Sequence, residues 1–378
     1  MSTINEIFQT YGPEYLERYE AIMPGEHRKV VEAIITCRTS ACGVALYECE
    51  QCGEPHILYR SCGNRHCPNC QHHKSRTWLE NQMNRQLPAH HFMITFTLPE
   101  NLRRFVRSNQ RTAYSAMFQA SSEAIKILAA DEQHVGGDLP GFLGVLHTWG
   151  RQLHYHPHIH YVVPGGALST KEHRWHSSRI DFFVPVRALS RLFRAKFRDE
   201  IAKAGLLGLI PPEVWQTDWN VNCQAAEAGE HTLRYLAPYV FKVAISNSRI
   251  VKVENRTVFF RYKKPRSRRW RTMALEVMEF IRRFLQHVLP TGFMKVRYYG
   301  FMNPNSSVSL DEINALIEMT YGFTVTAPEP ETEPMPMMSC VLCGATLVYR
   351  RLLLPCLPRL PVGTATGRRC TSPPQNPG

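Results

Sequence analysis

The sequence lacks any apolar run approaching the ~20 residues that a membrane-spanning helix needs, which excludes an integral membrane protein of the helical kind. It also lacks, in its opening MSTINEIFQTYGPEYLERYE, the basic start and apolar middle of a secretory signal, so the expected compartment is the cytoplasm. No internal repeat recurs along the chain, which excludes a repeat array. Acid is scarce as well. Against 45 Lys and Arg there are 32 Asp and Glu, leaving a formal charge of +13, a balance that favours a polyanionic partner over an acidic-surface protein's partners.

What the sequence has in plenty is cysteine and histidine. Twelve cysteines in a reducing compartment read as metal ligands rather than disulfides, and Cys37, Cys42, Cys49, Cys52, Cys62, Cys67 and Cys70 fall in one short stretch. Cys49/Cys52 and Cys67/Cys70 are two C-x-x-C pairs at a separation close to that of zinc ribbons, and they are expected to share one four-thiolate site. Cys37, Cys42, Cys62, His56, His66, His72 and His73 leave enough donors for a second zinc. A closed four-ligand site has no position for a substrate, so the zinc is expected to be structural. Arg60, Arg65, Lys74 and Arg76 lie among these ligands, where phosphate contacts would be needed. Farther on, Cys340 and Cys343 form a C-x-x-C with no matching pair nearby.

Periodicity and cysteine spacing divide the chain into a helical lead-in (1–35), a zinc-binding module (36–90) and an α+β region with an antiparallel sheet (91–305). A helical extension (306–327) and a Pro-rich linker with a disordered tail (328–378) follow. The strands HFMITFTLP, FLGVLHTW and HIHYVVPGG carry the sheet, with a long helix between the first two. In a strand, residues two apart share a face, so His158 and His160 point one way and can hold one metal. Pro157 sits best at a strand's start, which leaves His154 and His156 in the approach, available as a third ligand or solvated. In RYLAPYVFKVAIS, Tyr235 and Tyr239 stand four apart, one helical face, with Lys242 three further on, although Pro238 removes a helical hydrogen bond. A tyrosine beside a metal can attack a phosphodiester. The run KKPRSRRWR contributes Lys263, Lys264, Arg266, Arg268, Arg269, Trp270 and Arg271, cations that track phosphates and an indole that stacks on a base.

Taken in order, CRTS, CEQCG, SCGNRHCPNCQ, FTLP, HPHIH, YLAPYVFKVAISNSRI and FIRRFLQHVLPTGFMKVRYYGF resemble the transposases of the insertion sequence 91 family, the two-tyrosine HUH transposases of bacteria. The resemblance covers roughly residues 20 to 305. It implies an N-terminal zinc-binding module, with Cys37, Cys49, Cys52, Cys62, Cys67 and Cys70 as zinc ligands. An HUH endonuclease domain is implied to follow it, with a central antiparallel sheet flanked by helices. His158 and His160 match the histidine pair that binds Mg²⁺ or Mn²⁺, and Tyr235 and Tyr239 match the nucleophiles. Lys242 completes a Y-x-x-K pattern of related replication initiators. The family usually has Gly-Gly-His after its first cysteine, where this chain reads CGVA, so either Cys42 replaces that ligand or the first zinc site is weak.

The implied activity is nicking and rejoining of single-stranded DNA at insertion-sequence ends and target through a 5′-phosphotyrosine, without ATP, in rolling-circle transposition. Three other readings use the same residues. A replication initiator or relaxase would run the same chemistry at a plasmid origin, a non-catalytic zinc DNA-binding protein would use the histidines and tyrosines for packing, and a metal phosphohydrolase would activate water.

Overall fold

The computed structural model describes residues 3–226, 240, 244–264, 269–322 and 338–354. In chain order the elements are α1 (Ile4–Tyr19), α2 (Gly25–Thr36), β1 (Val44–Cys49), β2 (Pro55–Tyr59), α3 (His72–Met83), β3 (His91–Thr97), α4 (Arg103–Ser108) and α5 (Gln110–Ala130). The middle of the chain gives β4 (Phe142–Trp149), β5 (Tyr155–Pro164), β6 (Gly166–Ser169), β7 (Arg174–Ser177), α6 (Val186–Lys203) and β8 (Asn220–Ala226). Then come β9 (Ile250–Glu254), β10 (Thr257–Lys263), β11 (Trp270–Glu276), α7 (Val277–Leu285), β12 (Val296–Tyr299), α8 (Leu310–Tyr321) and β13 (Leu347–Leu353). None of the described helices is long and apolar enough to cross a membrane.

The chain forms two compact units, residues 1–37 with 61–335 and residues 38–60 with 336–378. This division differs from the expected zinc-binding module of 36–90, because 61–90 belongs with the larger unit while 38–60 takes a C-terminal segment as partner. Part of the expected disordered tail is ordered: residues 338–354 supply a turn and β13, which pairs antiparallel with β1. Backbone pairing with β1 satisfies amides that an isolated Pro-rich tail would leave to water.

The larger unit is built on a five-stranded antiparallel sheet in the order β12-β4-β5-β3-β8. Strand alternation sends Ile94, Phe96, Leu146, Ile159 and Tyr161 to one face, where α5 and α6 cover them. Phe96 meets Phe193 at 5.0 Å, and Tyr161 hydrogen-bonds Ser121 Oγ at 2.7 Å. Each buried aromatic contributes about 1.5–3 kcal/mol. Gly144 stands opposite Tyr161, and a Cβ there would lie 2.4 Å from its ring, so the close approach requires glycine. The other face carries Leu143, Val145 and Val162 against Trp78 and Leu79 of α3. The α+β class and antiparallel sheet match the sequence expectation.

The lead-in helices have reasons in sequence. Thr3 caps α1 in a reciprocal capping box with Glu6, and Pro24 immediately precedes α2. Their apolar faces join α7 in a second core, with Phe8 edge-on to Phe284 at 5.1 Å. The segment RIVKVENRTVFFRYK forms the β9–β10 hairpin, whose Asn255 and Arg256 both have positive φ, 48° and 58°, as a two-residue turn between twisted strands demands. The sequence reading missed β11, which opens within the basic run and pairs antiparallel with β10.

Candidate functional site

β5 lies between β3 and β4, and its alternation puts His158 and His160 on the face away from α5 and α6. Across the ladders, His158 stands opposite His147 of β4 and Thr97 of β3, and His160 opposite Val145 and Thr95. Cross-strand partners share a face, so the register delivers a third imidazole, His147. The ligand nitrogens of His147, His158 and His160 lie within 4.8 Å of one another. Their ring centroids are 4.7 to 5.3 Å apart. His147 is also stacked on Trp149 at 4.8 Å.

The strand begins earlier than expected, at Tyr155, so Pro157 is inside it and His156 is not in an approach segment. Between the pairs His147–His158 and Trp149–Tyr155, β5 carries one more residue than β4. Pro157 occupies that bulge, where a missing amide hydrogen breaks no ladder bond. His156 is not a third ligand of the cluster. Its Nδ1 accepts from Arg103 at 3.1 Å, and its carbonyl accepts from His158 Nδ1 at 2.7 Å. A carbonyl only accepts, so the proton of His158 sits on Nδ1 and Nε2 keeps its lone pair. Thr95 Oγ1 lies 2.8 Å from His160 Nδ1 and orients that ring, donating or accepting according to the tautomer.

Burial also keeps the rings neutral. Desolvation, followed by the neighbouring imidazoles, pushes His158 down to about 3 and His160 to about 4, and holds His147 well below the usual histidine range. Neutral imidazoles are what a cation requires of its ligands. His147 was legible in one respect: it is a titratable residue inside the otherwise apolar strand FLGVLHTW. Its partnership with His158 depends on register, which the sequence did not disclose.

Tyr235, Tyr239 and Lys242 lie outside the described residues. Val240, next in sequence to Tyr239, is 1% exposed and packs with Leu143, Val145 and Val162 on the histidine face of the sheet.

The cysteines do not combine as their spacing suggests. Cys67 and Cys70 join Cys37 and Cys62, whereas Cys49 and Cys52 join Cys340 and Cys343. Spacing along the chain misleads here because β1 and β2 carry Cys49 and Cys52 into the smaller unit, while Cys37 at the end of α2 stays with the larger. In the first group the Sγ atoms of Cys37–Cys70, Cys62–Cys70 and Cys67–Cys37 are 3.4 to 3.5 Å apart. Four Zn–S bonds of about 2.3 Å make a tetrahedron with edges of about 3.8 Å, so the group fits a structural zinc. The Cys62 thiol, then the Asn5 amide at 3.6 Å, pulls Cys67 down to about 5, towards the thiolate that zinc takes. Cys42 belongs to neither group.

His66 is no zinc ligand either: its Nε2 accepts from the Leu289 amide at 3.1 Å. Arg65, expected among phosphate contacts, donates to the carbonyls of Leu289, Pro290 and Phe293 and closes the turn after α7. Arg76 is paired with Glu80 at 2.8 Å. The side chain of His72 is outside the described residues.

Of the basic run, Arg266 and Arg268 lie outside the described residues, while Lys263 ends β10 with Lys264 just after it, and Trp270 and Arg271 open β11 with Arg269 just before them. Trp270 is 53% exposed, with Lys263 Nζ 5.1 Å and Arg261 5.7 Å from its ring centre. Arg151 donates to the carbonyls of Lys263 and Lys264 and steadies the base of the hairpin tip.

A family model described as "Putative transposase" matches residues 141–309, and one described as "Transposase zinc-binding domain" matches residues 7–98. The curated "Putative transposase y4qJ" of Sinorhizobium fredii (strain NBRC 101917 / NGR234) is 38% identical over 352 residues, 88% of this chain and 87% of that one. The "Transposase for insertion sequence element IS801" of Pseudomonas savastanoi pv. phaseolicola is 29% identical over 354 residues, 85% of this chain and 82% of that one. No solved structure matches. A chain that carries the zinc-binding region and the transposase region in this order, and aligns with a transposase over most of both lengths, belongs to the insertion sequence 91 family of transposases.

Proposed function

We propose that this transposase nicks and rejoins single-stranded DNA at insertion-sequence ends through a tyrosine-linked intermediate, in the bacterial cytoplasm, as an HUH endonuclease. The observation that carries the reading is the three-histidine cluster on one face of the central sheet, neutral and with ring orientations fixed. His147, His158 and His160 would hold a divalent cation, and nitrogen donors favour Mn²⁺ over the oxygen-seeking Mg²⁺. When bound, that cation supplies Lewis-acid withdrawal of charge from the scissile phosphate.

The remaining steps belong to the chain. Tyr235 or Tyr239 loses its phenolic proton and attacks phosphorus in line; the P–O3′ bond breaks, leaving a 5′-phosphotyrosine and a 3′-hydroxyl. Lys242 orients the phosphate or stabilises the phenolate. The tyrosyl ester keeps the phosphodiester's energy, so attack by a 3′-hydroxyl of another strand regenerates the tyrosine without ATP. Two tyrosines allow two strands to be held at once, as rolling-circle transfer requires. Burial of Val240 beside Val145, the cross-strand neighbour of His160, supports bringing the tyrosine segment to this face. The basic hairpin around Trp270 supports single-strand binding by stacking and phosphate contacts.

The test is to incubate the full chain and Mn²⁺ with labelled single strands carrying the element's ends and look for a denaturation-resistant protein–DNA band. The reading expects a band with wild type and none with the Tyr235→Phe, Tyr239→Phe double variant. Metal-dependent cleavage that survives the double variant would instead indicate water as nucleophile and overturn it.

A further inference from the structure

Cys340 and Cys343 lie beyond both matched regions, which end at residues 98 and 309. Yet their turn is a copy of the turn at Cys49 and Cys52. In CEQCGE the Cys49 amide donates to the Glu54 carbonyl at 3.0 Å, and the Gly53 amide to the Cys49 carbonyl at 3.0 Å. In CVLCGA the Cys340 amide donates to the Ala345 carbonyl at 2.7 Å, and the Gly344 amide to the Cys340 carbonyl at 2.9 Å. Both glycines have left-handed φ, 70° and 77°, which the tight turn needs and other residues adopt poorly. The Cys67–Cys70 turn has glutamine in that place.

The two matching turns face each other within the smaller unit. Sγ distances are 3.3 Å for Cys49–Cys343, 3.7 Å for Cys52–Cys340 and 3.6 Å for Cys343–Cys52, near the edge of about 3.8 Å expected for four thiolates on zinc. His56 Nε2 lies 3.2 Å from Cys340 Sγ, placed to donate to a thiolate from outside the tetrahedron. β1 runs into the first turn and β13 out of the second, and the two strands pair antiparallel. β2 is largely exposed, so this small sheet buries little apolar surface of its own.

We propose that Cys49, Cys52, Cys340 and Cys343 bind a second structural Zn²⁺, a zinc ribbon split between two distant stretches of the chain, whose C-terminal half is required to fold residues 38–60. Each thiol gives up its proton as the Zn–S bond forms, with no oxidant or reductant involved. The site is independent of the nicking chemistry, so either reading can fail alone.

The test measures zinc per full-length chain by elemental analysis. Two zinc ions are expected for wild type and for Cys356→Ser/Cys370→Ser, and one for Cys340→Ser/Cys343→Ser. Retention of both zincs by Cys340→Ser/Cys343→Ser, or loss of one by Cys356→Ser/Cys370→Ser, overturns the proposal. A second measurement needs no variant. Iodoacetamide should label Cys340 and Cys343 about tenfold or more slowly in the zinc-loaded wild type than after chelation, together with Cys49 and Cys52. Equal labelling with and without zinc contradicts the site.

Discussion

The cysteine groups and the histidine group of this protein solve opposite problems. Each cysteine group offers four soft donors that can close around an ion, while the histidine group offers three nitrogens from two neighbouring strands. A tetrahedral ion in four thiolates has no vacancy for a substrate; an ion on three imidazoles has room for an oxygen of a phosphate. On the proposed function, donor number and the rigidity of the supporting element separate a staple from a reaction centre within one chain. The backbone agrees: the histidines stand on the central strand of the main sheet and its neighbour, over a core that holds their spacing.

The largest effect expected is on the staple. Cys67→Ser should eject zinc from the group with Cys37, Cys62 and Cys70, and because structural zinc supplies on the order of 10 kcal/mol of folding energy, the packing of α1, α2 and α7 should fail. Thermal unfolding of the variant should lose its cooperative transition, or the chain should be recovered only as aggregate. His147→Ala should do the reverse, leaving zinc content and cooperative unfolding in place while nicking falls by roughly 10²-fold or more, from loss of one ligand. Equal damage to both properties in both variants would erase the distinction between the two kinds of site.

Acid should also separate them. Folded-state values for His158 and His160 lie below the ordinary 6.5, so the unfolded chain binds more protons as pH falls. Stability from these groups is complete above about pH 6.5 and is lost towards pH 3 to 4, on the order of 1 kcal/mol per pH unit for each ring. Denaturant midpoints between pH 7 and 5 should fall accordingly, and added Mn²⁺ should shift the loss to lower pH; a flat profile would contradict the burial of neutral imidazoles. Smaller still, Thr95→Val removes the hydroxyl at His160 Nδ1 and should weaken Mn²⁺ binding about 10- to 100-fold without changing zinc content. Trp270→Ala should lower affinity for single strands by about 1–3 kcal/mol, read by fluorescence anisotropy, and leave metal binding untouched.

Sequence revealed what depends on local period. Alternation around His158 and His160 gave their common face, and the apolar strands gave the antiparallel sheet. Pro157 misled, because proline is excluded from a ladder but not from a bulge, and a bulge is not visible without the partner strand. His147 required the register of β4 against β5, which is a non-local property. The cysteine pairing failed for the same reason: two C-x-x-C turns close in sequence belong to different units, and the partner of Cys49 and Cys52 is almost three hundred residues away. Arg65 looked like a phosphate ligand by charge alone, until the carbonyls that it caps came into view.

The most direct test of the division between staple and reaction centre is Mn²⁺ titration of zinc-loaded protein, followed by electron paramagnetic resonance, in wild type and His147→Ala. The account predicts saturable Mn²⁺ binding with couplings from imidazole nitrogen in wild type, loss of that signal in His147→Ala, and unchanged zinc in both. Mn²⁺ binding that is indifferent to His147→Ala, or that occurs only by displacing zinc, would contradict it.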